Sequence, residues 1–194
     1  MDYLTQKLLA VLSRHTKIED SKRDVYIYAI NLLLYTVVST LGLIAISATL
    51  GKTTEGIIII LIYYVNQTLG GGFHASTHLR CFFTMAILLL AGLLALELHP
   101  SRTLLEAIVL IAGIVLFIFP LILHQNKSYL LPRSKGMRIR SRIVVAIECL
   151  IIFIPNVFEA YFILNSYAIG MTISVVSRVS AVFLAHHRQK HDCN

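Results

Sequence analysis

The chain has 194 residues, of which 57% are hydrophobic and only 14% are charged, and its formal net charge is +7. So few polar side chains cannot cover a soluble globule, whereas a lipid bilayer supplies an apolar solvent. Lys and Arg cluster beside apolar stretches, which indicates loops facing anionic headgroups and argues against nucleic-acid binding. The three cysteines, Cys81, Cys149 and Cys193, fit neither a disulfide framework nor a zinc motif. The composition predicts an all-α, polytopic membrane protein.

The N-terminal segment, residues 1–24, places Leu4, Leu8 and Leu12 at helical spacing with basic residues among them. This pattern predicts an amphipathic helix that lies on the membrane surface. Many polar residues precede the first long apolar run, so the segment does not have the pattern of a cleaved signal peptide. We therefore expect an interfacial anchor.

Six later segments are apolar enough to be interpreted as membrane spans. They are residues 25–50, 56–69, 82–98, 103–123, 143–164 and 167–185. The second span reaches the glycine run Gly70–Gly72, which favours the end of a regular helix. The last two spans require a turn, expected near Asn165–Ser166, with Pro155–Asn156 as the competing position.

The loop of residues 124–142 carries six basic residues and no acidic one. Because basic loops stay in the cytosol, this loop and both termini are predicted to be cytosolic. Residues 70–81 then lie at the cytosolic face. The same basic side chains are also candidates for binding an acidic peptide segment; they are Lys127, Arg133, Lys135, Arg138, Arg140 and Arg142.

Reactive residue types concentrate between Gly70 and Cys81. A cysteine nucleophile needs a base or imidazolium partner, and His78 and His74 precede Cys81 by three and seven residues. Seven residues of straight helix rise about 10 Å. Spacing alone therefore favours His78 as the neighbour of Cys81, unless the glycine turn folds His74 back.

The surroundings of this segment suggest how such a site would be supported. A helix that begins near Ser76 or Thr77 would favour a thiolate or an oxyanion at its N-terminus, and Arg80 adds positive charge. No carboxylate lies within the segment, so Asn66, Gln67 or Ser76 is a candidate for orienting the histidine.

Three alternatives compete with a cysteine enzyme. In the plainest, the histidines lie at the membrane interface and Cys81 is inert. In the second, His74, His78 and Cys81 bind a metal ion, although the Glu of a zincin motif is missing. In the third, charges within the last spans line a transport path, or simply pair with one another for stability; these charges are Glu148, Glu159 and Arg178.

The motif Gly71-Gly72-Phe73-His74, followed seven residues later by Cys81, resembles the accessory gene regulator B family of quorum-sensing membrane peptidases. The resemblance extends over the whole chain, since the length, amphipathic N-terminus, six expected spans and basic loop are similar. It implies that Cys81 is the nucleophile and His74 the base. Family members often carry a basic residue seven positions before the histidine, where this chain has Gln67.

The resemblance also implies a substrate, a location and a reaction. The substrate is an AgrD-like propeptide with an amphipathic N-terminal helix and an acidic C-terminal tail, and the location is the plasma membrane of a Gram-positive bacterium. The thiolate attacks the bond before the tail and forms an acyl-enzyme thioester. A Cys or Ser of the propeptide then closes a thiolactone or lactone ring. No metal or cofactor is expected, and a homodimer remains open.

Overall fold

The computed structural model describes residues 2–15, 23–71, 77–119, 134–153 and 161–192, which form seven α-helices and no strand. The all-α prediction is confirmed for these residues. The helices are α1 (Asp2–His15), α2 (Arg23–Thr49), α3 (Thr53–Gly70), α4 (His78–Ala95), α5 (Arg102–Ile118), α6 (Ser134–Leu150) and α7 (Tyr161–Asp192). Short 3₁₀ turns extend α4 and α6, at Leu96–Leu98 and Ile151–Phe153.

Three segments of the described helices are long and apolar enough to cross a membrane, judged by length and composition. They are Arg23–Thr49, His78–Leu98 and Tyr161–Phe183. The helices α3, α5 and α6 have 18, 17 and 17 residues. Six spans and the location of α1 on the membrane surface therefore stay predictions.

The central pair of helices is α3 and α7, which approach each other closely. A Cβ atom at Gly170 would lie 2.9 Å from Cβ of Ile62, so the close approach requires glycine. Apolar side chains pack on both sides of this pair. One cluster joins α5 and α6 to α7 around Val109 and Met171, and the other joins α2, α3 and α4 around Leu43 and Leu89.

The turn predicted at Asn165–Ser166 is wrong, because both residues lie inside the continuous helix α7. Their polar side chains find partners without breaking the helix. Ser166 Oγ donates to the carbonyl of Phe162 at 2.7 Å, and Asn165 Nδ2 donates to the carbonyl of Leu96 at 3.4 Å. The competing turn at Pro155–Asn156 lies outside the described residues.

The C-terminal part of the predicted basic loop is also helical, since α6 begins at Ser134. Helix α3 ends at Gly70, where the glycine run predicted an end, and Gly71 has a φ of 68° that favours glycine. The end of α3, the start of α4, the end of α5 and the start of α6 lie at one end of the bundle, named here the Cys81 end. At the opposite end, Tyr161 of α7 donates to the carbonyl of Pro100 at 2.6 Å.

Candidate active site

Cys81 lies in the first turn of α4. Thr77 caps this helix, since its Oγ1 accepts the N–H of Arg80 at 3.3 Å and its carbonyl accepts the N–H of Cys81 at 3.1 Å. The helix start considered near Ser76 or Thr77 therefore agrees with the cap at Thr77. The Cys81 side chain is half-buried, and the positive end of the helix dipole lies close to it. Such a position stabilises a thiolate.

A cavity of about 310 Å³ lies between α3, α4 and α7, with Cys81 on its wall. Tyr63, Met85 and Ser177 are buried and form its floor, whereas Val176 is 43% exposed at its rim. Among the described residues that line it there is no Asp, Glu, His, Lys or Arg. The full lining is Tyr63, Cys81, Thr84, Met85, Leu88, Val176, Ser177 and Ser180.

The polar groups of the floor are connected to one another. The side chain of Tyr63 hydrogen-bonds Ser177, and Ser177 Oγ donates to Gln67 Oε1 at 3.3 Å. Gln67 was expected near the site, and the structure places it behind the floor of the cavity. Sequence reasoning missed Ser177 and Tyr63. The signal for Ser177 was a series of hydroxyl residues at helical spacing in an apolar helix.

His78, which spacing alone favoured as the neighbour of Cys81, points toward α2. The ring of His78 stacks on Tyr35 with centroids 4.3 Å apart and planes at 11°, and it is not part of the cavity lining. Arg80 is exposed on α4. His74, together with Gly72 and Ser76, lies outside the described residues, so its role as the base stays a prediction.

A buried polar cluster of Asn66, Glu148 and Arg178 lies beside the site and links α3, α6 and α7. Asn66 Nδ2 of α3 donates to both carboxylate oxygens of Glu148 of α6 at 3.0 Å. The carbonyl of the same Asn66 accepts Nη2 of Arg178 of α7 at 2.8 Å. The pair predicted between Glu148 and Arg178 is therefore bridged by Asn66 rather than formed by direct contact. Glu159 lies outside the described residues.

Arg178 holds two helix ends together at the Cys81 end. Its Nη1 donates to the carbonyls of Leu116 and Phe119, at 3.2 and 3.1 Å, where α5 ends. Its Nη2 reaches the last turn of α3 through Asn66. A cation at helix C-termini is favourable because the carbonyls there lack helical partners. Arg178 is only 1% exposed, and its hydrogen bonds to these carbonyls explain why a charged side chain is buried here.

The basic side chains of α6 lie at the same end of the bundle. Arg142 Nε donates to the carbonyl of Phe117 at 3.4 Å, and its guanidinium lies 5.3 Å from the centroid of the Phe117 ring. Lys135, Arg138 and Arg140 are exposed on the first turns of α6. Lys127 and Arg133 lie outside the described residues.

No cluster of three or more His, Cys, Asp or Glu side chains suited to a metal ion occurs within residues 2–15, 23–71, 77–119, 134–153 and 161–192. The hypothetical metal set of His74, His78 and Cys81 includes His74, which the structure does not describe. That alternative is therefore not tested.

A family model described as Accessory gene regulator B matches residues 5–178. The chain belongs to the accessory gene regulator B family. The search of curated proteins and the search of solved structures each returned no match.

Membership in the accessory gene regulator B family associates the protein with the accessory gene regulator system of quorum sensing. Proteins of the accessory gene regulator B family are in general known as peptidase-like processing proteins. The family and the apolar helices together support a membrane protein. The resemblance noted from the glycine–histidine–cysteine motif is thereby confirmed.

Proposed function

We propose that the protein is a membrane cysteine endopeptidase that removes the C-terminal tail of a quorum-sensing propeptide and promotes its cyclisation. The observation that carries this proposal is the position of Cys81. The thiol lies in the first turn of α4 and on the wall of a cavity large enough for part of a peptide. Cys149, by contrast, packs against Gly113 between α5 and α6.

The proposed reaction starts with attack of the Cys81 thiolate on the carbonyl carbon before the tail. The C–S bond forms, the C–N bond breaks, and the amine of the tail leaves with a proton from the base, for which His74 is our candidate. A thiol or hydroxyl of the propeptide then attacks the thioester and closes the ring, which frees Cys81. The largely apolar cavity favours this capture over hydrolysis because it limits access of water.

The basic start of α6 supports the proposed substrate. Lys135, Arg138 and Arg140 are exposed at the Cys81 end, where they would attract an acidic tail. An amphipathic N-terminal helix in the propeptide would concentrate it on the same membrane surface. We place this surface on the cytosolic side, following the distribution of basic residues.

The transport alternative receives less support from the structure. It required Glu148 and Arg178 to line a path. Both side chains are buried and hydrogen-bonded within the helix bundle, and neither lines the described cavity.

The test is mass spectrometry of the propeptide after incubation with protein in vesicles. We expect wild-type protein and Cys149→Ala to release the tail, because Cys149 packs in the core away from the cavity. We expect Cys81→Ala to release none, and a wild-type digest trapped by acid should contain propeptide linked to Cys81 as a thioester. Tail release by Cys81→Ala would refute the proposal.

A further inference from the structure

The cavity beside Cys81 lies between a wall formed by α4 and a wall formed by α7. On the α4 side it is bounded by Cys81, Thr84 and Leu88, and on the α7 side by Val176 and Ser180. Seven residues separate Cys81 from Leu88, so the cavity extends for about 10 Å along α4. Its volume of about 310 Å³ lies at the small end of ligand pockets, which hold roughly 300–1,000 Å³. It therefore suits one side chain with its backbone rather than a folded segment.

The chemistry of the lining restricts what this space accepts. Met85, Leu88 and Val176 are apolar, and the polar contributors are hydroxyl groups and the thiol. A carboxylate or ammonium group placed there would lose water and gain no Asp, Glu, Lys or Arg partner among the described lining residues. Arg178, a buried cation of α7 that does not line the cavity, donates to the carbonyls at the ends of α3 and α5. The occupant is thus uncharged.

The position of Cys81 on the cavity wall decides which part of a substrate enters the cavity. When a thiolate attacks a peptide bond, the residue that contributes the carbonyl stays attached to sulfur, and the following residue leaves with the amine. The leaving side of the proposed substrate is acidic, which an uncharged cavity disfavours and the basic surface of α6 favours. The side chain on the acyl side is therefore the one that fits the cavity.

Resting on the proposed function, we propose that this cavity is the specificity pocket for an uncharged side chain on the residue whose carbonyl Cys81 attacks. The pocket selects that side chain by size and polarity. The side chain remains in place through thioester formation, so it also orients the acyl group for ring closure. Apart from the thioester bond to Cys81, no bond to the pocket residues forms or breaks.

The experiment reduces the pocket volume with a larger side chain on each wall in turn. It then measures the enzyme's preference for a large or a small side chain at the acyl residue of the propeptide. Ser180→Leu adds bulk from α7, and Thr84→Leu adds it from α4. Two propeptides, with Leu or Ala before the scissile bond, compete for tail release. One methylene in an apolar pocket changes kcat/KM by about 10- to 200-fold. We expect both variants to lower the Leu-to-Ala ratio of kcat/KM at least about 10-fold.

The matched control is Thr172→Leu, which makes a similar change on an exposed position of α7 outside the pocket lining. It should keep the wild-type ratio. An unchanged ratio in both filling variants, or an equal loss for both substrates, would overturn the pocket assignment while tail release by wild-type protein leaves the proposed function standing.

A second measurement does not depend on cleavage. In Cys81→Ala protein, a propeptide with a benzophenone side chain at the acyl residue should crosslink to peptides of α4 or α7 that contain Met85, Leu88 or Val176. Crosslinks confined to other helices would overturn the proposal. If crosslinking succeeds but the wild-type protein releases no tail, the pocket assignment holds as a binding site and the peptidase function fails.

Discussion

The contact between Gly70 and Arg178 leads to a quantitative prediction. A Cβ atom at Gly70 would lie 1.9 Å from Nη2 and 2.3 Å from Cζ of Arg178, so the guanidinium would have to move. It cannot move without breaking hydrogen bonds, because Nη1 and Nη2 together donate to three backbone carbonyls. Arg178 thus requires glycine at position 70, which is also the residue where α3 ends.

The magnitude follows from these bonds. A hydrogen bond to a charged group contributes about 1.5–3 kcal/mol. Gly70→Ala breaks at least the bond from Nη2 to the carbonyl of Asn66, so it should lower the free energy of unfolding by about 1.5–3 kcal/mol. In an Arg178→Ala background the clash is gone, and Gly70→Ala should be neutral or stabilising by about 0.5–1 kcal/mol. The coupling energy is the difference between the two effects, about 1.5–4 kcal/mol.

The assay is a double-mutant cycle on purified protein, with unfolding in mixed micelles followed by circular dichroism. Gly136→Ala is the matched control, since no atom of the described residues lies within 4 Å of a Cβ atom at that position of α6. It should show no coupling to Arg178. Equal costs of Gly70→Ala in both backgrounds, within about 0.5 kcal/mol, would refute the reasoning.

Two further predictions concern the site. His78→Ala should keep substantial propeptide cleavage and lower stability by about 1 kcal/mol, because its ring stacks on Tyr35; loss of cleavage with unchanged stability would instead make His78 the base. The joint change of Arg138→Glu and Arg140→Glu should raise KM for the propeptide at low salt and leave kcat unchanged, and the effect should shrink toward 1 M salt, where the screening length falls to about 3 Å. An effect that is independent of salt, or that persists with a propeptide lacking its acidic tail, would argue against tail binding.

Local sequence signals predicted much of the framework of this protein. Apolar composition predicted helices, and the glycine run before His74 predicted the end of α3. These features depend on neighbouring residues, whose backbone preferences act over a few positions. The motif ending at Cys81 also led to the correct family. The third span was expected to begin at Phe82, whereas α4 begins at His78.

Contacts between distant residues could not be predicted in the same way. The turn at Asn165–Ser166 was wrong because these side chains bond within the bundle, and a polar pair in an apolar stretch does not by itself end a helix. Asn66 bridges Glu148 and Arg178, which lie 82 and 112 positions further along the chain. Such pairings depend on how helices pack.

By itself, therefore, the sequence determined the all-α class, the end of α3 at the glycine run and the family. Only the tertiary structure decided that Cys81 faces α3 and α7 while His78 faces α2, and that Tyr63 and Ser177 meet at the floor of the cavity. The reason is that helical periodicity indicates which residues share a face, whereas the helix that covers this face is selected by long-range packing.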